Sequence, residues 1–163
     1  MYSSIGAYIT GSKTMDWKLS DNPAPLINMA SRAFMRLGDR RMKPLGLGIG
    51  QIPVLYLLRD GSAISQKELA QHAKIEQPSM AQMLARMERD GLVRRTPDPD
   101  DGRSTLFSLT KLALSKLPAA RAALLEGSKT AWDGFSAEEI ATLLCLLRRL
   151  NENLDRAIAE EAA

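Results

Sequence analysis

Ser79, Gln82, Arg86 and Arg89 recur at intervals of three and four in "QPSMAQMLARMERDG", the spacing of one face of an α-helix. They offer hydroxyl, amide and guanidinium groups, which suit the reading of hydrogen-bonding edges and the holding of anions. Just downstream, "LVRRTPDPDDGRSTLFSL" sets Arg94, Arg95 and Arg103 around a turn, a pattern that fits contact with phosphates. Little else in the chain offers chemistry. His72 is the only histidine and Cys145 the only cysteine, so a metal centre or a histidine-based catalytic set lacks its partners. No paired-carboxylate site or glycine-rich phosphate loop stands out, and the glycines of "GLGIG" precede an apolar helix with no strand before them. The expectation is recognition without catalysis, with no cofactor, no metal and no enzyme activity.

These residues need elements to position them. Pro78 suits a first helical position, with Gln77 before it, and Gly91 suits a left-handed exit. Met80, Leu84 and Met87 form the opposite, packing stripe of the same helix. Upstream, Ser65 and Glu68 in "SQKELAQHAKI" make an S-x-x-E capping box at another helix start, beside Gln66. "LVRRT" and "STLFSL", joined by a turn rich in Pro, Asp and Gly, predict a β-hairpin.

The flanks read as helices. "DNPAPLINMASRAFMRLGDRRMKP" has Asp21 or Asn22 as cap, Pro23 in the first turn, and Leu26, Ala30, Ala33 and Leu37 at helical spacing. "QIPVLYLLRDG" predicts a short, largely buried helix ended by Gly61. Residues 110–131 predict a helix kinked at Pro118, and Ser136 with Glu139 repeats the capping box. In the last helix Leu143, Leu147, Leu150 and Leu154, extended by Ile140 and Ile158, form a narrow seam. Such a seam needs a cover, either the first helix or a second copy of the chain, and a homodimer is expected.

With 163 residues, 45% hydrophobic and 25% charged, the chain has the composition of a soluble globular protein. A lone cysteine fits a reducing cytoplasm, and neither an export leader nor a membrane span is apparent. The net charge of +3 is concentrated early: residues 1–58 carry seven Lys/Arg against three Asp/Glu, and residues 59–110 carry eight against eight. An anion-binding role must therefore depend on where the arginines point. The expected fold is mostly α with a small β-hairpin wing: an N-terminal arm and first dimerisation helix (1–45), a winged helix-turn-helix (46–110) and C-terminal dimerisation helices (111–163). In such a unit the third helix fits the roughly 12 Å wide major groove of DNA, and the hairpin reaches phosphates or the adjacent minor groove.

"IEQPSMAQMLARMERDGLVRR" followed by "DPDDGRSTLFSLT" resembles the MarR family of bacterial transcriptional regulators, its SlyA-like members in particular. The family's helix exit, D-x-R wing and closing "LT" are matched by Met87 to Val93, by Asp101 with Arg103, and by Leu109 with Thr110, and the resemblance runs from about residue 23 to about residue 158. It implies intertwined first and last helices in a homodimer and two winged lobes on a palindromic operator in double-stranded DNA. Repression by blocking polymerase is the expected outcome, with activation by displacing another repressor as the second. The DNA-contacting set it implies, with the spacing argument, is Ser65, Gln66, Gln77, Pro78, Ser79, Gln82, Arg86, Arg94, Arg95, Asp101 and Arg103, with Asp101 orienting Arg103. Three positions depart from the family: Gln82 stands where a basic residue is common, Met83 where a small hydroxyl residue is common, and Ala113, after Lys111 and Leu112, where a Gly is often found two or three residues past the "LT". Glutamine reads adenine bidentately, so the first departure points to a different operator preference.

The resemblance also implies a small aromatic acid or phenol as effector, between the first, second and fifth helices. Trp17, Phe34, Tyr56, Trp132 and Phe135 lie near that junction and are expected in the core. Arg36, Arg40 and Arg41 could neutralise an anion there, although a solvated face is the plainer expectation. Cys145 is expected as a small buried hydrophobe. The alternative to a regulator is a winged-helix protein-interaction adaptor that binds no DNA.

Overall fold

The computed structural model describes residues 22–101 and 104–161, which divide into two compact units, one ending at Leu124 and one beginning at Leu125. Helix α1 spans Pro23–Met42; Asn22 caps it by accepting the Ala24 N–H at 3.0 Å, and Pro23 presets the first-turn φ. Its far end is the buried end, through Gly38 and Met42. A Cβ on Gly38 would lie 2.5 Å from Ile49 Cδ1, so glycine is what lets the returning chain come this close. Asp39 Oδ1 fixes that return by accepting the Ile49 N–H at 2.9 Å. Two single 3-10 turns, Lys43–Leu45 and Ile49–Gln51, then lead into α2, Ile52–Leu57, where Val54 and Leu55 are buried.

The next elements are β1 (Ile64–Ser65), α3 (Gln66–Ala73), α4 (Gln77–Arg89), β2 (Val93–Pro97) and β3 (Thr105–Leu109). The expected capping box opens α3: Ser65 Oγ accepts the Glu68 N–H at 3.3 Å, while Glu68 Oε2 accepts the Ser65 N–H at 3.1 Å. Both α3 and α4 end in the left-handed region with the same pair of closing bonds. At α3 the Ile75 N–H reaches Ala70 O and Lys74 has φ 54°; at α4 the Leu92 N–H reaches Met87 O and Gly91 has φ 70°. Gly91 was legible from its type; the left-handed lysine was not.

The hairpin is part of a three-stranded antiparallel sheet in the order β1-β3-β2, with Ile64 opposite Phe107 and Arg95 opposite Phe107 on its other side. At two residues, β1 is too short to show a period of two in sequence. The core joins Leu58, Leu69, Met80, Leu84, Met87 and Leu92, each no more than 1% exposed. Each such side chain contributes roughly 1.5–3 kcal/mol. A helix of 13 residues is marginal alone, so this burial is what holds α4 in place.

Helix α5, Lys111–Ala131, starts from Thr110, whose Oγ1 donates to Gly91 O at 2.6 Å and accepts the Ala113 N–H at 3.2 Å. It continues through Pro118, whose missing N–H forfeits one rung of the helix ladder. Helix α6, Ala137–Glu161, opens with the second capping box: Glu139 Oε2 accepts the Ser136 N–H at 2.8 Å and Ser136 Oγ the Glu139 N–H at 3.1 Å.

Two expectations about burial are corrected. Phe34, Tyr56 and Phe135 are exposed, and Trp132 is half-buried with its ring edge-on to Phe135 at 5.8 Å; Trp17 lies outside the described residues. Among the described residues Phe107 is the aromatic in the core, because its strand packs against α3. Cys145 is exposed, since α6 buries none of its residues in the single chain. In the single chain Leu26, Ala30 and Ala33 of the α1 stripe and Leu154 and Ile158 of the α6 seam are exposed, while Leu37, Ile140, Leu143, Leu147 and Leu150 are half-buried; Met29, Met35 and Leu144 add exposed apolar surface beside them. No helix among the described residues is long and apolar enough to cross a membrane.

Candidate nucleic-acid interface

Helix α4 has two faces. Met80, Leu84 and Met87 are buried, which forces Ser79, Gln82, Arg86 and Arg89 outward, and all four are exposed. Arg86 donates from Nε to the Gln82 carbonyl at 3.3 Å, one turn back along its own helix. Pro78 occupies the second helical position, not the first; Gln77 is first, and Glu76 is an N-cap with no side-chain bond. Both Gln77 and Pro78 are exposed.

The start of α3 meets the start of α4 through an amide pair: Gln66 Nε2 donates to Gln77 Oε1 at 3.2 Å. Each amide spends one edge on the other, leaving the Gln66 carbonyl and the Gln77 amino group for a ligand. Beside this pair lies a cleft of about 400 Å³ whose walls include Ser65, Gln66, Lys67, Gln77, Arg95 and Thr105. It brings together helix starts and wing base, so backbone dipoles and cations converge on one space.

The two wing arginines behave differently. Arg94 Nε donates to Ser108 Oγ at 3.1 Å. Arg95 donates from Nε to Glu88 Oε1 at 2.8 Å and from Nη2 to Glu88 Oε2, with its guanidinium carbon 5.8 Å from the Phe107 ring centre. Glu88 did not figure among the expected site residues. A signal was present: a carboxylate in the last turn of a helix opposes the dipole and so needs a cation nearby. Lys67 was also missed, because a lysine near a helix start reads as ordinary solvated surface.

Asp101 is exposed at the wing turn, where its carbonyl accepts the Ser104 N–H at 2.8 Å. Asp98 shapes the same turn by accepting the Asp100 N–H at 3.0 Å. Arg103, its expected partner, lies outside the described residues, as does Gly102.

A hydroxyl held by a neighbouring carboxylate marks two surface turns. The Ser65 hydroxyl, then the Ser65 N–H, holds the Glu68 carboxyl below its ordinary pKa, and Ser62 does the same for Asp60. Among the described residues no group of His, Cys, Asp and Glu could hold a metal ion.

A second hollow, of about 560 Å³, lies between α2 and α5. Ile52, Leu55 and Leu117 give it an apolar wall, with Tyr56, Arg59 and Arg121 around it. The Arg59 guanidinium stacks 3.9 Å above the Tyr56 ring and its Nη1 donates to the Tyr56 carbonyl. Arg36 and Arg40, on α1, are exposed; Arg41 is half-buried, and its Nε finds no hydrogen-bond partner among the described residues.

Comparison with known proteins fits this geometry. The MarR family model matches residues 47–105. The HTH-type transcriptional repressor IacR of Pseudomonas putida is 26% identical over 117 residues, 72% of this chain and 70% of that protein. Among solved structures, a cysteine-to-serine variant of E. coli MarR complexed with operator DNA superposes with TM-score 0.76 at 26% identity, covering 83% of this chain and 98% of that one. The transcriptional regulator PA4135 is 30% identical with TM-score 0.69, covering 80% of this chain and 96% of that one. A shared wing, helix pair and flanking helices, matched over four-fifths of the chain, have one explanation: the chain belongs to the MarR family.

Proposed function

We propose that the chain is a cytoplasmic transcriptional regulator, acting as a repressor, that binds double-stranded operator DNA as a homodimer. The observation that carries this reading is the two-faced α4. Three fully buried side chains fix its rotation, and the face turned outward holds Ser79, Gln82 and Arg86. These side chains match base edges in a major groove, while the adjoining cleft with Lys67 and Arg95 matches backbone phosphates. Asp101 and Arg103 complete the contact at the wing. A palindrome is read because two copies present two such helices, and the exposed apolar residues of α1 and α6 support assembly of two chains.

The hollow between α2 and α5 supports a small aromatic acid or phenol as effector. It offers apolar walls for a ring and guanidinium groups for an anion. Such a ligand releases DNA only by binding one spacing of the two lobes better than the other.

Fluorescence anisotropy with the DNA flanking the protein's own gene tests the reading. Salt-sensitive binding in the nanomolar range is expected, at least about a thousandfold tighter than to random duplex. Equal, weak binding to both at moderate salt would leave the adaptor reading in its place. Light scattering at micromolar concentration should give twice the chain mass, and Leu154→Glu should reduce that mass.

A further inference from the structure

The Glu88–Arg95 pair does little for stability where it stands. Glu88 sits in the last turn of α4, where the helix dipole disfavours a carboxylate, and on a module that would approach a polyanion. Its side chain is 35% exposed and that of Arg95 54%, so water screens the pair and its yield in stability is small. What it does geometrically is larger. An arginine on a strand has a long side chain with many rotamers, and the two bonds to Glu88 select one. They take Nε and Nη2 and leave Nη1 without a partner among the described residues, while Arg95 lines the cleft beside Lys67 and Gln77.

We propose that Glu88 is a positioning residue: from the recognition helix it clamps Arg95 of the wing so that Nη1 is presented to a backbone phosphate in the cleft. The role rests on the DNA-binding reading above. Because the clamp joins α4 to β2, it also sets the angle between the helix that reads bases and the wing. Ordering a side chain before binding saves the affinity otherwise lost in ordering it on the duplex.

The sign of one substitution tests this. Glu88→Gln removes a negative charge from the face that meets DNA, so charge alone predicts tighter binding. Loss of positioning predicts weaker binding, about fivefold to tenfold. The measurement is anisotropy of the full-length protein on a duplex it has selected from a random pool, across a potassium chloride series. In the proposed case Glu88→Gln and Arg95→Ala lower the salt dependence alike, and the double variant binds no more weakly than Arg95→Ala. The exchange of both residues, Glu88→Arg with Arg95→Glu, should keep the wild-type melting temperature but lose the binding, because a carboxylate then faces the phosphate. Binding by Glu88→Gln as tight as or tighter than wild type overturns the role, and so does full binding by the exchanged pair. A wild-type protein that selects no duplex overturns the DNA-binding reading itself and this role with it.

Discussion

Arg94 and Arg95 are neighbours in β2 and lie on opposite faces of the hairpin. Arg95 is opposite Phe107 and holds Glu88, whereas Arg94 is opposite Ser108 and bonds to its hydroxyl. Successive strand residues alternate, so two adjacent arginines cannot both meet the same phosphate. Arg95→Ala should weaken binding to every duplex and lower the slope of log affinity against log salt by about one, while Arg94→Ala changes that slope by less than half as much. A salt series on both variants checks this, and the reverse order would put the duplex on the other face of the wing.

Gln82 stands exposed on α4, seven residues from Arg89 and three from Ser79. Its amide can donate to and accept from adenine at once. Gln82→Ala should therefore remove discrimination at one base pair of each half-site, by about 1–3 kcal/mol, while leaving the salt slope unchanged. Competition with duplexes substituted one base at a time measures it; a uniform loss across all positions would show that Gln82 contacts backbone.

Periodicity and capping made most of this site legible. The stripe of Met80, Leu84 and Met87 fixes the rotation of α4 from sequence alone, and S-x-x-E fixes the start of α3. What stayed hidden depends on pairing between elements. β1 exists because Ile64 and Ser65 reach Phe107 and Leu106, and no local pattern in two residues announces that. Glu88 meets Arg95 through the turn between a helix and a strand, where neither the helical nor the strand period applies. The exposed Phe34 and Tyr56 were misplaced for a different reason: aromatic type predicts burial on average, but α1 and α2 carry faces that the single chain does not cover.

Lys74 and Gly91 close consecutive helices in the same left-handed conformation, at φ 54° and 70°. For a residue with a Cβ that conformation costs about 1–2 kcal/mol, and glycine's extra freedom in the unfolded chain offsets about half of the relief. Lys74→Gly should accordingly raise stability by about 0.5–1 kcal/mol. Gly91→Ala should lower it by about 1 kcal/mol or more, although its Cβ would meet nothing closer than Leu112 Cδ2 at 3.9 Å. Thermal melts followed by circular dichroism should move in opposite directions for the two variants. Equal signs would mean that side-chain contacts, and not backbone conformation, decide these turns.

Ser65 and Glu68 give the start of α3 a pH dependence of definite sign. The Ser65 hydroxyl is the first cause, and the Ser65 N–H the second, of a Glu68 carboxyl held below its ordinary value of 4.5. A carboxyl whose pKa is lowered by folding contributes stability above its unfolded pKa, and that contribution is lost as pH falls through the folded one. At neutral pH Ser65→Ala should therefore be less stable than wild type, and the gap should narrow as pH drops below the ordinary carboxylate range. In the same variant the Glu68 resonance, followed by NMR, should titrate at higher pH than in wild type. A stability gap that stays constant down to acid would show that the backbone cap alone, without the carboxylate, holds this helix start.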